Sequence, residues 1–354
     1  MYFGIVPKTR KEDLFDFEEE YNELLKAIKG EHRLIVIKGL RRTGKTSLMN
    51  VVYNQISNPR LFVDAREIPV GKKVTYTHFG RLFYGFLSDV SIKEKISSWV
   101  TGLDAYIQIN FQKKAALSEL AKRINEAMRS RNEFFCLFID EAQMLKPSGF
   151  DRFLAFLYDR TDRIKIILAG SEVGLMDKFI GLEAQEPLYG RVKKIIEIEK
   201  FQTEKSLEFL RSGFKEKGMK YDEEELKEAV SKLDGIVGWL AAYGFYRTEM
   251  GHEAALKKTM TEGAKMVSSE IEKFLSTRSG GRKRYLSILK LLSKTPAKWS
   301  EIKNLVAAKT GKTIPDSRLA AVLDQLLEYG FIEKKKEMYY IADPLTAEAV
   351  ATKR

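Results

Sequence analysis

The sequence of 354 residues is poor in cysteine and histidine, and this shortage argues against two ways of stabilising a chain. Its single cysteine, Cys136, lies in the apolar run FFCLFI, so no disulfide can form within the chain and we expect a core residue. The three histidines, at positions 32, 78 and 252, are far apart and show no spacing typical of metal ligands. The sequence therefore predicts neither a disulfide scaffold nor a metal centre built from histidine or cysteine.

Long apolar runs are missing as well. No segment approaches the roughly 20 apolar residues that a membrane-spanning helix needs. The first residues, MYFGIVPKTRKEDLFDF, lack the basic-then-apolar order of a signal peptide. The composition, with 44% hydrophobic and 31% charged residues, is typical of a globular chain with room for more than one domain. We expect a cytoplasmic protein that has no membrane partner.

Basic residues are in excess over acidic ones. The chain has 61 Lys+Arg against 49 Asp+Glu, a formal net charge of +12. Such a surplus suits nucleic acid or another polyanion, but highly charged proteins also use it for solubility. Charge alone leaves both interpretations open.

The segment IKGLRRTGKTSLMN has the spacing of a phosphate-binding loop, G-x-x-x-x-G-K-[ST]. An apolar, β-branched run before it predicts a buried strand, and apolar residues at helical spacing follow it. Strand, loop and helix form the context that this motif needs. The predicted nucleotide-binding residues are Gly39, Leu40, Arg41, Arg42, Thr43, Gly44, Lys45, Thr46 and Ser47.

These loop residues have distinct predicted roles. Backbone N–H groups would surround the phosphates of ATP or ADP at a helix N-terminus. We expect Lys45 to neutralise the β- and γ-phosphates and the Thr46 hydroxyl to coordinate Mg²⁺. Arg41 and Arg42 could touch phosphate, but we expect them to face solvent.

Three further motifs carry candidate catalytic residues: two at the ends of predicted buried strands and one in a loop. In CLFIDEAQ, Asp140 is predicted to hold Mg²⁺ and Glu141 to deprotonate the attacking water, which favours hydrolysis over simple nucleotide binding. Ser171 ends the run ILAGS, where a hydroxyl could sense phosphate or merely end a strand. Arg191 in PLYGR could stabilise transition-state charge in cis or in trans, or could be a surface salt-bridge partner.

Strands that alternate with helices from 31 to 200 predict an α/β fold, a parallel sheet with helices on both faces. We expect one helix over 10–29 and a hairpin over 100–111. After position 200 the pattern is helical, and TRSGGRKR (277–284) is the clearest linker. Three helical patterns and a hairpin then predict a winged helix-turn-helix.

The predicted third helix of this module is a doubtful base reader, because it carries more acidic than basic residues and only Arg318 is basic. Basic residues lie in the linker and the predicted wing instead. Duplex DNA contact through the backbone is therefore one hypothesis, and protein docking or autoinhibition is the other. The candidate DNA-contacting residues are Arg282, Lys283, Arg284, Lys334, Lys335 and Lys336.

The segments RKEDLFDFEEE, GLRRTGKTSL, LFVDARE, LFIDEAQ, AGSEVGLM, PLYGR and DGIVGWLAAYG occur in an order that resembles the archaeal ATPase family. That family belongs to a signal-transduction branch related to AAA+ and origin-recognition ATPases. The resemblance implies an ATPase core over 1–200, a helical lid over 201–276 and a winged helix over 282–354. It also implies that the segment 1–29 and the lid pack around adenine, which points to Leu14, Phe15 and the region of Gly235.

Two departures from the family pattern concern that adenine side. Phe17 stands where relatives commonly have arginine, so a polar contact is lost. Val237 stands where they usually have proline, which would fix the backbone. The leading hypothesis is an ATP-hydrolysing switch; the alternatives are a DNA-binding regulator with a structural nucleotide and a signalling ATPase that docks protein. A homo-oligomer is compatible with the first.

Overall fold

The structure is a computed structural model that describes residues 1–69, 71–88, 114–182, 184–310, 313–351 and 353. The hairpin predicted over 100–111 lies outside these residues. None of the described helices is long and apolar enough to cross a membrane. Cys136 is buried, as its apolar neighbours predict.

Five parallel strands form the central sheet in the order β2-β3-β4-β1-β5. The strands are β1 (Leu34–Gly39), β2 (Arg60–Asp64), β3 (Phe135–Asp140), β4 (Ile164–Gly170) and β5 (Lys194–Ile198). All of β3 and β4 is buried, in keeping with their continuous apolar sequences. Because the strands are parallel, the residues that follow β1, β3 and β4 meet at the carboxyl edge of the sheet.

Alternate residues of β1 face two separate cores. Ile35 and Ile37 belong to one core and Leu34 and Val36 to the other. Helices α1 (Glu18–Lys29) and α2 (Lys45–Gln55) cover the first face; α3 (Lys72–Ser88), α4 (Lys114–Ser130) and α5 (Asp151–Arg160) cover the second. A short helix, α6 (Val173–Phe179), follows β4. The predicted α/β fold with helices on both faces is confirmed.

The single helix predicted over 10–29 is wrong. A 3₁₀ turn, Lys11–Asp13, is followed by extended backbone at Leu14 and a left-handed residue at Asp16 (φ 54°) before α1 begins at Glu18. The break has a packing reason. Phe15 and Phe17 turn into the interior, which a continuous helix with an acidic outer face could not achieve.

Four helices follow the sheet and are called the four-helix segment: α7 (Thr203–Glu216), α8 (Glu223–Leu233), α9 (Val237–Arg247) and α10 (His252–Ser276). The C-terminal part contains α11 (Arg282–Leu292), α12 (Trp299–Thr310) and α13 (Asp316–Glu328). Its small sheet has the order β6-β8-β7, from Ala297–Lys298, Met338–Ile341 and Ile332–Lys335. This is the predicted winged helix, and a last helix, α14 (Thr346–Ala351), was not predicted.

The predicted linker over 277–284 is mostly ordered structure. A 3₁₀ turn spans Ser279–Gly281, and α11 begins at Arg282, inside the predicted linker. The Arg278 guanidinium lies 4.2 Å from the Phe274 ring centroid and its Nε donates to Gln325 at 2.7 Å. Part of the basic charge of this segment is therefore engaged in contacts within the fold. The four-helix segment and the winged helix also share one apolar core.

Candidate nucleotide-binding site

The loop between β1 and α2 is shaped by two left-handed residues, Arg42 (φ 65°) and Gly44 (φ 103°). Gly39 ends the strand where a side chain has no room, since a Cβ there would lie 2.2 Å from the Ile198 carbonyl oxygen. The loop then leads directly into α2, whose first residue is Lys45. Successive N–H groups in such a turn, at a helix N-terminus, form a concave site for an anion.

Lys45 is buried at the centre of this loop. Its Nζ donates a hydrogen bond to the Leu40 carbonyl at 2.5 Å. Burial lowers the pKa of Lys45 to about 8, although Glu141 and Asp140 oppose this effect. A buried cation with an incomplete set of anionic partners is suited to an anionic ligand.

Asp140, the last residue of β3, faces the loop. It accepts a hydrogen bond from Thr46 Oγ1 at 2.7 Å and one from the Glu141 backbone N–H at 3.0 Å. Burial raises the pKa of Asp140, while the Thr46 hydrogen bond acts against that rise. A hydroxyl and a carboxylate side by side are the hard oxygen ligands that Mg²⁺ prefers. The residues present therefore fit a magnesium ion.

Glu141 has an uncommon backbone conformation, left-handed at φ 51° and ψ 40°. Its Oε2 accepts hydrogen bonds from Ser171 Oγ at 2.7 Å, the Ser171 N–H at 3.2 Å and Gln143 Nε2 at 2.7 Å. Left-handed residues other than glycine cost free energy and are enriched at functional sites. The carboxylate of Glu141 is thus held firmly beside Asp140 and Lys45.

Comparisons with known proteins agree with this geometry. The model of a family described as an ATPase domain predominantly from Archaea matches residues 14–242. The chain belongs to this archaeal ATPase family. A second model, that of the C-terminal winged helix-turn-helix domain of MCM proteins, matches residues 280–342.

Two solved structures are similar to this chain over nearly its whole length. The Walker-type ATPase PABY2304 of Pyrococcus abyssi is 32% identical with a TM-score of 0.83, and the match covers 99% of each chain. The ORC2 protein of Aeropyrum pernix, in ADPNP-ADP complexes, shares the fold: it is 13% identical with a TM-score of 0.60, over 98% of this chain and 94% of that one. A comparison with curated protein sequences gives no match.

The predicted adenine side of this archaeal ATPase is aromatic. Phe15 packs edge to face on Phe209 with ring centroids 5.4 Å apart, and Leu14 lies half-buried beside the same core. Phe17, one of the two expected departures from the family pattern, is buried against the loop. A Cβ on Gly44 would lie 2.6 Å from the Phe17 ring. The side chain at position 17 is therefore a ring that packs on the loop glycine.

The expectation that Arg41 and Arg42 face solvent is wrong. Arg41 donates to Glu172 at 2.5 Å, and one of its nitrogens lies 3.5 Å from Glu270 in α10. Arg42 donates to Glu270 at 2.6 Å, and its guanidinium lies 4.3 Å from the Trp239 ring centroid. Carboxylates from distant parts of the chain compete successfully with water for both side chains.

Arg42 also reaches the winged helix. Asp343 accepts from Trp239 Nε1 at 3.1 Å and lies 3.6 Å from an Arg42 nitrogen. Burial raises the pKa of Asp343, which the nearby Arg42 partly opposes. The Gly238 N–H donates to the Arg42 carbonyl at 2.9 Å, next to the departure at Val237. The loop, the four-helix segment and the winged helix therefore meet at Arg42.

Arg191 is not brought to the loop. It precedes β5, whose first residue, Lys194, pairs with Ile35 near the start of β1. Gly39 lies four residues further along β1, about 13 Å away at the rise of a parallel strand. The Arg191 guanidinium donates to Asp159, through Nε at 3.0 Å and a second nitrogen at 2.5 Å. Arg191 thus lies near the amino edge of the sheet, on the side opposite the loop. This position does not support contact between Arg191 and phosphates bound in the loop of the same chain.

The candidate DNA-contacting residues differ in their availability. Arg282 donates twice to Glu272, at 2.8 Å each, so it is part of the fold. Lys283 is exposed and Arg284 half-buried. The wing lysines at 334–336 are exposed, although Lys335 pairs with Glu333 at 3.1 Å. Of the six candidate residues, Lys283 and the three wing lysines are therefore the exposed ones.

The acidic end of α13 packs on the ATPase core. Glu328 pairs with Lys178 at 2.7 Å, and a Cβ on Gly174 would lie 2.6 Å from the Glu328 Cα. Glu328, one of the three acidic residues that make this helix an unusual groove reader, thus has a structural partner in α6.

Four residues at the site were not anticipated: Gln143, Glu172, Glu270 and Asp343. Gln143 and Glu172 carried a signal, because each lies within two residues of a predicted site residue at the end of a strand. Glu270 and Asp343 carried none, since only the tertiary fold brings them to the loop.

Proposed function

We propose that this chain is an ATP-hydrolysing switch whose nucleotide state is read by a helical lid over 201–276 and a winged helix over 282–354, both appended to an ATPase core over 1–200. One observation carries the proposal. Lys45, Thr46, Asp140, Glu141 and Ser171 converge at the carboxyl edge of the sheet, with direct hydrogen bonds between Thr46 and Asp140 and between Glu141 and Ser171.

Nucleotide binding follows from the loop. The backbone N–H groups of residues 39–47 would surround the phosphates, and buried Lys45 would exchange the Leu40 carbonyl for phosphate oxygens. Thr46 and Asp140 would hold Mg²⁺, which neutralises phosphate charge when bound. Leu14, Phe15 and Phe17 offer an apolar surface on the adenine side.

Hydrolysis requires a base at the γ-phosphate end. Glu141 is the candidate: it removes a proton from water as the water oxygen bonds to the γ-phosphorus. The bond from that phosphorus to the bridging oxygen breaks, and ADP and inorganic phosphate are the products. Ser171 and Gln143 orient the Glu141 carboxylate, and Lys45 stabilises the charge on the transferring group.

The lid and winged helix are linked to the loop through Arg41 and Arg42. Their guanidinium groups bind Glu270, and Arg42 also approaches Asp343. Phosphates in the loop would compete with these carboxylates for the same two cations. Nucleotide binding thereby changes how tightly the lid and winged helix are held, which is the physical basis of the proposed switch.

Duplex DNA is the output partner that the surface favours. The match to a winged helix of MCM proteins and the exposed wing lysines support backbone contact. The same observations support the alternative, a DNA-binding regulator whose nucleotide is structural. Arg191 pairs with Asp159 within this chain, as expected of a surface salt-bridge partner. A role of Arg191 in hydrolysis would require a second copy of the chain, whose phosphates it would approach, and a homo-oligomer is therefore part of the proposal only in that case.

ATP turnover by the wild-type chain and by Glu141→Gln, with and without duplex DNA, tests the proposal. We expect measurable turnover in the wild type, a loss of at least about 100-fold in the variant, and unchanged ATP binding in both. DNA stimulation would identify the output. Wild-type ATP binding without turnover would instead favour the structural-nucleotide alternative.

A further inference from the structure

The aromatic ring of Phe3 lies inside the four-helix segment, and the residue is 1% exposed. A Cβ on Gly213 of α7 would lie 2.2 Å from the tip of this ring, and a Cβ on Gly244 of α9 would lie 2.3 Å from its Cδ1 atom. The ring also packs on Phe214 of α7, with centroids 4.9 Å apart. Glycine inside a helix is less favourable than alanine by about 1 kcal/mol. Both helices nevertheless have glycine at the positions that leave space for the ring.

The strap, which comprises residues 2–9 and carries this ring, is fastened at its other end to α2, the helix that follows the phosphate-binding loop. The Lys8 backbone N–H donates to Ser47 Oγ at 3.0 Å. The Asn54 side chain, further along α2, donates to the Thr9 carbonyl at 3.0 Å. The strap therefore joins the four-helix segment to the ATPase core through contacts that are separate from those of the two loop arginines.

A row of aromatic rings runs from the strap to the phosphate-binding loop. The Phe3 ring centroid lies 5.9 Å from that of Phe209, which in turn lies 5.4 Å from that of Phe15. The Phe201 ring centroid lies 6.0 Å from that of Phe15 and 6.1 Å from that of Phe17, the ring that packs on the loop glycine. Ring pairs at such distances each contribute about 0.5–1.5 kcal/mol beyond the burial of their area. The position of Phe15 on the adenine side therefore depends on the rings behind it.

We propose that Phe3 is a positioning residue for the bound nucleotide: it holds the strap in the four-helix segment and thereby keeps Phe15 in place as one wall of the adenine site. The inference rests on the proposed function, which takes Phe15 as part of the adenine side. Phe3 is too deeply buried to touch the nucleotide, so it acts through the rings between it and Phe15. The phosphates are held instead by Lys45 and the backbone of the loop. Changes at Phe3 should therefore weaken binding of the base and leave binding of the phosphates unaltered.

The first test is Phe3→Leu, which removes the ring and keeps an apolar side chain. We expect the Kd and the KM for ATP to rise by about tenfold, while kcat stays within about twofold of the wild type, because only ground-state binding of the base is lost. Inorganic tripolyphosphate, which has no base, is the second probe, and its Kd should also stay within about twofold of the wild type. A merely structural role of Phe3 would lower the Tm and leave the ratio of the two affinities unchanged.

Gly244→Ala tests the same contact from the side of α9. The added methyl group would displace the Phe3 ring, whereas alanine favours the helix by about 1 kcal/mol, so a weaker ATP affinity in this variant would not reflect a loss of helix. We expect the same rise of about tenfold in the Kd for ATP. In a Phe3→Ala background, Gly244→Ala should add nothing, because the ring that it displaces is absent. Phe153→Leu is the matched control: Phe153 is equally buried, on the opposite face of the sheet, and its loss should lower the Tm with both affinities unchanged.

The outcomes separate the inference from the proposed function. If Glu141→Gln is inactive while Phe3→Leu and Gly244→Ala bind ATP as tightly as the wild type, the inference is wrong and the proposed function stands. An equal loss of affinity for ATP and for tripolyphosphate in Phe3→Leu also contradicts the inference, because Phe3 would then support the site as a whole. If Glu141→Gln turns over ATP at the wild-type rate, the proposed hydrolysis fails, and a selective loss of ATP affinity in Phe3→Leu would still support the inference.

Discussion

Replacing Arg42 by methionine should loosen the lid and the winged helix from the loop. The substitution removes a charge-assisted hydrogen bond to Glu270 at 2.6 Å and a guanidinium 4.3 Å from the Trp239 ring centroid. The hydrogen bond contributes about 1.5–3 kcal/mol and the cation–π contact about 0.5–1 kcal/mol. Methionine keeps part of the apolar contact with Trp239. The net loss of docking free energy is therefore about 2–3 kcal/mol.

Such a loss raises the population in which the lid is open by about 30- to 150-fold. The Gly238 amide reports it directly, because its N–H donates to the Arg42 carbonyl across this interface at 2.9 Å, and the carbonyl persists in the variant. Hydrogen exchange at Gly238 should accelerate by the same factor. Arg211→Met is the control, since Arg211 pairs with Glu204 and Glu223 away from the loop. Gly238 exchange within about twofold of the wild type would refute the role given to Arg42.

Three further predictions concern the loop, the amino edge and the wing. Lys45→Met should abolish ATP binding yet raise the Tm of the nucleotide-free chain at pH 7, because it removes a buried cation. The pKa of Lys45 in the folded chain, about 8, lies below the ordinary 10.5, so the stability of the wild type rises as the pH increases from 8 to 10.5. The Tm difference between variant and wild type should therefore shrink over this pH range. Equal Tm values in calorimetry at pH 7 would contradict this. If Arg191 acts in trans, Arg191→Ala should bind ATP but hydrolyse it poorly. Mixing this variant with Lys45→Ala should then restore ATP turnover, because each variant supplies the residue that the other lacks. If the subunits exchange and turnover is not restored, Arg191 does not act in trans. Replacing the three wing lysines with alanine should weaken duplex DNA binding about equally on unrelated sequences, as measured by gel shifts. The salt dependence of binding should fall by an amount equivalent to up to about three phosphate contacts, whereas Arg318→Ala should leave it unchanged. An unchanged salt dependence in the triple variant would contradict phosphate contact by the wing.

Local sequence patterns predicted the sheet and the loop because these depend on short-range features. The central strands β3 and β4 are buried along their whole length and largely apolar. The glycine spacing of the loop reflects the lack of room for a side chain at Gly39 and the left-handed backbone of Gly44. The carboxyl ends of parallel strands must meet at one edge, so the closeness of Asp140, Glu141 and Ser171 could be expected from strand order alone.

Contacts between distant segments could not be predicted in this way. Arg41 and Arg42 look like solvated loop residues in the sequence, and only the packing of α10 and the winged helix provides their carboxylate partners. The predicted helix over 10–29 failed for a related reason: Phe17 finds a buried place on Gly44, and that tertiary contact outweighs helix propensity. Such contacts depend on the whole fold, which periodicity does not describe.

The most direct test of the switch is the distance between the ATPase core and the wing in each nucleotide state. Spin labels on cysteines introduced at the exposed positions Lys122 and Lys336 would report it, and the buried native Cys136 is shielded from labelling. Glu141→Gln is the background, because it should hold ATP without consuming it. We predict that ATP shifts the distance distribution away from that of the nucleotide-free chain, as phosphates displace Glu270 and Asp343 from Arg41 and Arg42, and that ADP shifts it less. Identical distributions with saturating ATP, with saturating ADP and without nucleotide would contradict the proposed switch.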